Sequence, residues 1–333
     1  MIEFIFTIDY EIYGNGEGSL QTLVHEPAER LKDLFKKWEA RFVAFVEAAE
    51  LEAIEAAGSD PAIEAVKEQV RAFDREGFEI GLHLHPQWCN ARLENGRWCL
   101  DGDEYNLCRL PQERIAEIVD RSLAYLRNML GRTDFHPLSY RAGNWLFQPS
   151  QAISRVLAER GFRIDSSVYK GGLQHRYGLD YRRSLRNGYY WPFREDVNVP
   201  DTQGRLIEIP IFSKMVPTYR IFSSKRVGLQ SKAPSAPGSR QSRIDRLKDF
   251  LRPAYPLKLD FCRLTVQEFQ DLLRPEIEKD KQDPSVYRPL VAIGHTKDLV
   301  DFETVGAILA VLRERRIPIS SFNRFWENIQ KYI

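Results

Sequence analysis

The sequence predicts an α/β domain organised on a mainly parallel sheet, either open or closed into a barrel. Three observations lead there. Runs of strand character alternate with helical stretches along most of the chain, the pattern of repeated βα units. Predicted strand ends carry Asp9, the pair His83 and His85, Arg141, Asp165 and His295, and parallel α/β folds gather their functional groups at the carboxyl ends of strands. The stretch from Glu79 to Pro86 sets two histidines at alternate positions of one strand, so both imidazoles share a face.

The elements follow in order. Ile2 to Ile8 is rich in β-branched and aromatic residues and reads as a first strand, with Thr7, Asp9 and Glu11 on one face. Pro27 to Trp38 shows helical spacing of Leu31, Leu34, Phe35 and Trp38. Arg41 to Val46 reads as a strand and Ala48 to Ala57 as a short helix. Ser59-Asp60-Pro61 marks a helix start that runs to about Arg75. Pro86 ends the histidine strand because it cannot donate to a ladder. Residues 87 to 109 read as loop with a turn at Glu94-Asn95-Gly96, and Pro111 to Leu130 as a long amphipathic helix. Leu138 to Ala142 is a strand, Pro149 to Arg160 a helix, Phe162 to Ile164 a strand, and Leu206 to Phe212 another. After Thr265 the pattern is helix to about Lys281, strand Pro289 to Ile293, helix Phe302 to Arg315, strand Pro318 to Phe322 and a closing helix Phe325 to Tyr332.

One stretch breaks this rhythm. Lys214 to Arg252 holds ten Lys or Arg against two Asp, with Pro and Ser clustered at Ser231 to Ser239. It reads as a basic, mobile insertion at about 214–256 within a single catalytic domain spanning 1–333.

Composition excludes several classes. At 333 residues the chain can bury a substantial core. A net charge of +1 gives no electrostatic case for nucleic acid or a membrane surface. No apolar run reaches the length of a membrane span. Met1 to Phe6 carries an early acid and reads as a strand, not a signal peptide. Cys89, Cys99, Cys108 and Cys262 show no CxxC spacing, so reduced thiols and a cytoplasmic location are expected. The oligomeric state is not legible in the sequence.

The paired imidazoles point to a metal, because a neutral ring keeps one lone pair for a ligand bond. Aromatics in loops after strands, Trp88, Trp145 and Tyr169, suit stacking on sugar faces.

Five segments, taken in order, carry a family resemblance: Thr7-Ile8-Asp9-Tyr10-Glu11, His83-Leu84-His85-Pro86, Arg141-Ala142-Gly143, Asp165-Ser166-Ser167 and Ile293-Gly294-His295. The set resembles the successive motifs of the NodB-homology polysaccharide deacetylases, the carbohydrate esterase family 4-like enzymes, over roughly residues 2 to 325 apart from the basic insertion. The resemblance implies a deformed (β/α) barrel of about seven strands. It also implies hydrolysis of an acetyl group, usually N-acetyl, from a carbohydrate or glycan precursor in cell-surface polysaccharide metabolism. Asp9 would then be the general base and His295 the general acid. Arg141 would hold Asp9, and Asp165 would orient His295. His83 and His85 would bind a divalent metal, Zn2+ first among them, with Glu11 as third ligand.

The chain departs from the family pattern twice. Tyr10 stands where the family carries a second aspartate, and the histidines are spaced i, i+2 instead of i, i+4. Exchange of roles between Asp9 and Glu11 stays open. So do a metal-free amidase acting on a small nitrogenous substrate and an inactive carbohydrate-binding barrel.

Overall fold

The computed structural model describes residues 1–221, Lys225 and 252–330. Among them, seven parallel strands form a curled sheet: β1 Ile2–Tyr10, β2 Val43–Glu47, β3 Glu79–Leu84, β4 Ser139–Ala142, β5 Ile164–Asp165, β6 Leu206–Glu208 and β7 Arg288–His295. Their spatial order is β6-β5-β4-β3-β2-β1-β7, so neighbours in sequence are neighbours in space until β7 joins β1. An antiparallel strand, Trp191–Phe193, lines the outer edge of β6, and Ile319–Ser320 adds to β1. Beyond β6 the chain turns back to β7. Ile211 bridges Val291, and the Phe212 N–H donates to Val291 O at 2.9 Å. The sheet thereby meets itself as a distorted barrel.

Eight helices pack around it: α1 Glu26–Lys37, α2 Ala48–Ala57, α3 Ile63–Arg75, α4 Gln112–Leu130, α5 Gln151–Glu159, α6 Val266–Gln282, α7 Phe302–Glu314 and α8 Phe322–Ile329, counted among the described residues. Strand alternation divides the core. Phe4, Phe6, Ile8 and Tyr10 face the helices with Leu31 and Phe35 of α1. Ile5 faces the interior with Val43, Phe45, Ile164, Ile207 and Val291, and Phe322, Phe325 and Ile329 of α8 plug that space. The plug sits at the amino end: Ile319 and Ser320 pair with Phe4 and Ile5, and Glu79 at the start of β3 accepts the Asn323 N–H at 2.9 Å. The carboxyl end is left for polar groups.

Two expectations need correction. The third helix begins at Ile63, later than the Ser59-Asp60-Pro61 signal. Asp60 is engaged elsewhere: its carboxylate accepts from the Ala62 N–H at 2.9 Å and from the Leu20 N–H at 2.7 Å. The described ends of the basic insertion are also ordered structure. Ser213–Pro217 and Ala254–Lys258 pair as an antiparallel ribbon, with Ser213 opposite Lys258. The interior Leu257 and Val216, both buried, give this ribbon a packed face that the charge count concealed. The Ser231 to Ser239 cluster lies outside the described residues.

Candidate active site

Strand register assembles the site. Asp9 lies opposite His295, Glu47 opposite His83, and His83 opposite Arg141, all at or beside carboxyl ends. The side chains of all five are buried. Tyr10 points outward, where its hydroxyl donates to Gln69 Oε1 at 2.7 Å. Glu11 turns inward again with Asp9. Glu11 therefore shares the inner face with Asp9, while Tyr10 lies on the outer one.

Glu11 is the carboxylate closest to both imidazoles. Its Oε2 lies 2.9 Å from His85 Nε2 and 3.4 Å from His83 Nε2, while Asp9 Oδ2 is 4.0 Å from His83 Nε2. His83 Nδ1 sits 2.9 Å from the Arg141 carbonyl oxygen, which fixes Nδ1 as the protonated nitrogen. His83 Nε2 makes no hydrogen bond despite its burial. The Gln87 side chain flanks His85 Nδ1 at 3.3 Å, and Gln87 Oε1 has no partner. The Asn144 side chain also lies 3.3 Å from Nδ1, and these contacts leave His85 Nε2 aimed at Glu11. Close packing supports this placement. A Cβ on Gly143 would meet Leu84 O at 2.6 Å and the His85 ring at 2.7 Å.

These residues fit a divalent cation. One ligand atom from each of Glu11, Glu47, His83 and His85 lies within 4.8 Å of the others, and Asp9, Glu11 and His295 form an overlapping group. An unpartnered imidazole nitrogen facing a carboxylate oxygen offers two donor atoms of the kind divalent metals take. Charge agrees. Burial disfavours an imidazolium at His83, but Asp9, Glu11 and Glu47 outweigh it and push His83 up to about 9. The cluster of acids attracts positive charge.

Asp9 is held by a buried arginine. Arg141 Nη1 donates to Asp9 Oδ1 at 2.7 Å and to Thr7 Oγ1 at 2.8 Å, and Arg141 Nε donates to Ser166 O at 2.9 Å. Its guanidinium lies 4.2 Å over the Phe45 ring. Burial works against ionisation of Asp9, yet Arg141, His83 and His295 together hold its carboxyl below the usual range. Asp9 Oδ2 stays clear of Arg141 and lies 3.4 Å from His295 Nε2.

Asp165 does not orient His295. Its Oδ1 accepts from Ser167 Oγ at 2.7 Å, and it stands opposite Glu208 on β6. Burial pushes both acids up, Glu208 more strongly. The motif acts through its serines instead: Ser166 accepts from Arg141, and Ser167 Oγ accepts the Ala142 N–H at 2.9 Å. The acid that faces His295 is Asp298, whose Oδ2 lies 3.7 Å from His295 Nδ1. Asp298 is itself held by Arg263 at 2.5 Å.

The aromatics divide. Trp88 is buried in the core, 5.0 Å from the Trp98 ring, and is absent from the described lining of the cavity over Glu11 and His83. The turn Pro86–Trp88, closed by the Trp88 N–H on His85 O at 3.0 Å, follows the strand directly. Trp145 lines a cavity of about 390 Å3 over the cluster, and Tyr169 lines an adjoining one.

Three further groups were not singled out from the sequence. Lys297 Nζ lies 2.7 Å from Glu11 Oε1 and donates to Ile12 O at 3.1 Å. Burial opposes the charge on Glu11, but Lys297 and the imidazoles hold it well below the usual range. Glu47 caps α2, accepting the Ala49 N–H at 3.1 Å, and its other oxygen accepts the His85 N–H. Its signal was position, as the last residue of a strand beside the histidine strand. Lys258 contributes to the cavity wall from the ribbon.

No protein-family model matches the chain, and no curated protein sequence matches it. Solved structures do. The chain is similar to a Mycobacterium smegmatis protein described as a "putative polysaccharide deacetylase", at 15% identity and TM-score 0.54, covering 99% of this chain and 91% of that one. It is similar to a protein of Pseudomonas aeruginosa PAO1 described as a "probable polysaccharide deacetylase", at 12% identity and TM-score 0.55, with coverage of 99% and 91%. It is also similar to Puue allantoinase, at 12% identity and TM-score 0.51, covering 96% of this chain and 87% of that one. The likeness runs nearly end to end and concerns architecture: this chain has the NodB-like fold of the polysaccharide deacetylases.

Proposed function

We propose that this protein is a metal-dependent hydrolase of carbon–nitrogen bonds that removes the acetyl group of an N-acetylated carbohydrate or glycan precursor, in the cytoplasm, for cell-surface polysaccharide metabolism. One observation carries the reading: Glu11, His83 and His85 converge on a point where His83 Nε2 lacks a partner, beside Asp9 and His295 at 3.4 Å. The similar structures described as polysaccharide deacetylases support the substrate class.

Glu11, His83 and His85 would hold the ion, zinc by its donor set. When bound, such an ion polarises an acyl oxygen and acidifies water. Asp9 takes the proton of the attacking water at Oδ2, the oxygen that Arg141 leaves free. Arg141 keeps that carboxylate ionised and fixed. His295 protonates the leaving amine from Nε2, and Asp298 favours its charged form. Trp145 offers a flat face to the sugar ring.

Acetate release from N-acetylated sugars, measured with metal content in wild type and His83→Ala, tests the reading. Both are expected to fall together, activity by ~10³-fold or more. Acetate release that persists in the variant overturns the metal role, and none from wild type overturns the hydrolase.

A second reading, a metal-free amidase on a small nitrogenous substrate, is favoured by one contact. Lys297 already places an ammonium 2.7 Å from Glu11, supplying positive charge where an ion would. The likeness to an allantoinase leans the same way. Metal analysis of protein purified without added metal separates the two.

A further inference from the structure

We propose that the substrate carries an anionic group, a phosphate or a carboxylate, and that this group sits in an annex of the active-site cavity against Lys258. The inference rests on the carbohydrate reading above and names the class of sugar.

The cavity over Glu11 and His83 adjoins a second of about 300 Å3. The two share Trp145, Tyr255, Pro256 and Lys258, so a ligand can run from one into the other. The inner cavity has Asp9, Glu11 and Asp260 in its walls together with Lys258, Arg263 and Lys297, so its acids are matched by cations. The annex has Lys258, His175 and Arg176, and no Asp or Glu among the described residues that line it.

Lys258 is the group that calls for a ligand. Its Nζ makes no hydrogen bond or ion pair with the described residues. It lies 3.0 Å from the centroid of Trp145 and 4.8 Å from that of Tyr169. Burial lowers its pKa to about 7, as expected of an ammonium that has lost water without gaining an anion. Asp260 and Asp9 act on it only through space. Elsewhere in this site each buried charge has a partner, as Arg141 has Asp9 and Lys297 has Glu11.

The chain also holds the aromatic wall at a cost. Asn144 and Trp145 adopt left-handed backbone, with φ of 53° and 60°. A bulky residue such as Trp145 rarely adopts this conformation. The Tyr181 hydroxyl fixes the turn by donating to Trp145 O at 2.6 Å. The strained turn keeps the indole in the wall that the two cavities share, with Lys258 Nζ over one face. A sugar ring stacked there would present its acetamido group to one side and an anionic substituent to the other.

Calorimetric titration of wild type, Lys258→Met and Lys258→Arg decides it. The probes are N-acetylglucosamine, its 1-phosphate and 2-acetamido-2-deoxyglucuronate. One charged sugar is expected to bind wild type about tenfold or more tighter than the neutral sugar, the usual worth of a charge-assisted hydrogen bond. Which of the two it is distinguishes phosphate from carboxylate. Lys258→Met should remove most of the preference and Lys258→Arg retain it. Equal binding of all three sugars, or a preference that survives in Lys258→Met, overturns the annex. Charged-sugar preference without acetate release leaves the annex standing and removes the hydrolase. Acetate release without charge preference does the reverse, and binding of none of the three overturns both.

Discussion

Lys297 Nζ lies 2.7 Å from Glu11 Oε1, while Glu11 Oε2 faces the Nε2 atoms of His83 and His85. The carboxylate best placed to share a cation therefore already has one positive neighbour. A ligand so neutralised donates less charge, and its ion is held less tightly. Lys297→Met is expected to tighten zinc binding. Without zinc the same variant should melt at lower temperature, because it leaves a buried carboxylate unpaired. Zinc titration and thermal melts with and without chelator check both signs; unchanged zinc affinity would show that the ammonium has no bearing on the ion.

Arg141 gives a pH-dependent prediction. Asp9 has a lowered pKa in the fold, despite burial, mainly through Arg141. A depressed carboxylate stabilises the fold above its ordinary range, and that contribution is lost as pH falls through the folded value. Arg141→Met should therefore destabilise the protein by ~3–5 kcal/mol near neutral pH. The gap between variant and wild type should narrow toward pH 3. Urea unfolding across that range measures it.

Much of the site was legible because strand alternation is local. Thr7, Asp9 and Glu11 share a face for the same reason that His83 does with Gly81, and nothing distant can change that parity. The barrel followed from repeated βα order and from the resemblance. What remained hidden depended on contacts between segments far apart. Asp298 lies near His295 in sequence, but its role shows only when Arg263 is seen to hold it. Lys258 lies just beyond a basic stretch whose composition suggested mobility, and its pairing with Ser213 across the ribbon leaves no trace in the charge count. Trp88 is buried against Trp98, and its loop position after a strand did not reveal that burial.

Glu79 predicts the opposite pH trend. It is buried beside α8, where burial pushes its carboxyl up to about 7, against the Asn323 N–H, the Ser321 hydroxyl and the Phe322 N–H. Its Oε1 has no partner. A raised carboxyl favours the fold in its protonated form. Stability from this group is full below its ordinary value of 4.5 and falls as pH rises to about 7. Glu79→Gln keeps an acceptor for Asn323 and does not ionise. Its stability relative to wild type should improve by ~3 kcal/mol between pH 4 and pH 8, from the worth of each pKa unit. Denaturant midpoints at the two pH values check this.

Asp298 and Asp165 are separable partners for His295. Burial lowers the His295 pKa, while Asp9 and Asp298 raise it. A general acid must be protonated to act, so any loss of that support moves the basic limb of the rate profile to lower pH. Asp298→Asn removes one of the three supporting charges, Asp9, Asp298 and Asp260, and should shift the limb downward and reduce kcat with little effect on KM. Asp165→Asn touches a different network, the one through Ser167 and Glu208. It should leave the basic limb in place and lower the melting temperature instead. pH profiles of acetate release for the two variants, taken with their melts, decide between them. A shift in the limb from Asp165→Asn and none from Asp298→Asn would restore the partner that the family resemblance implies.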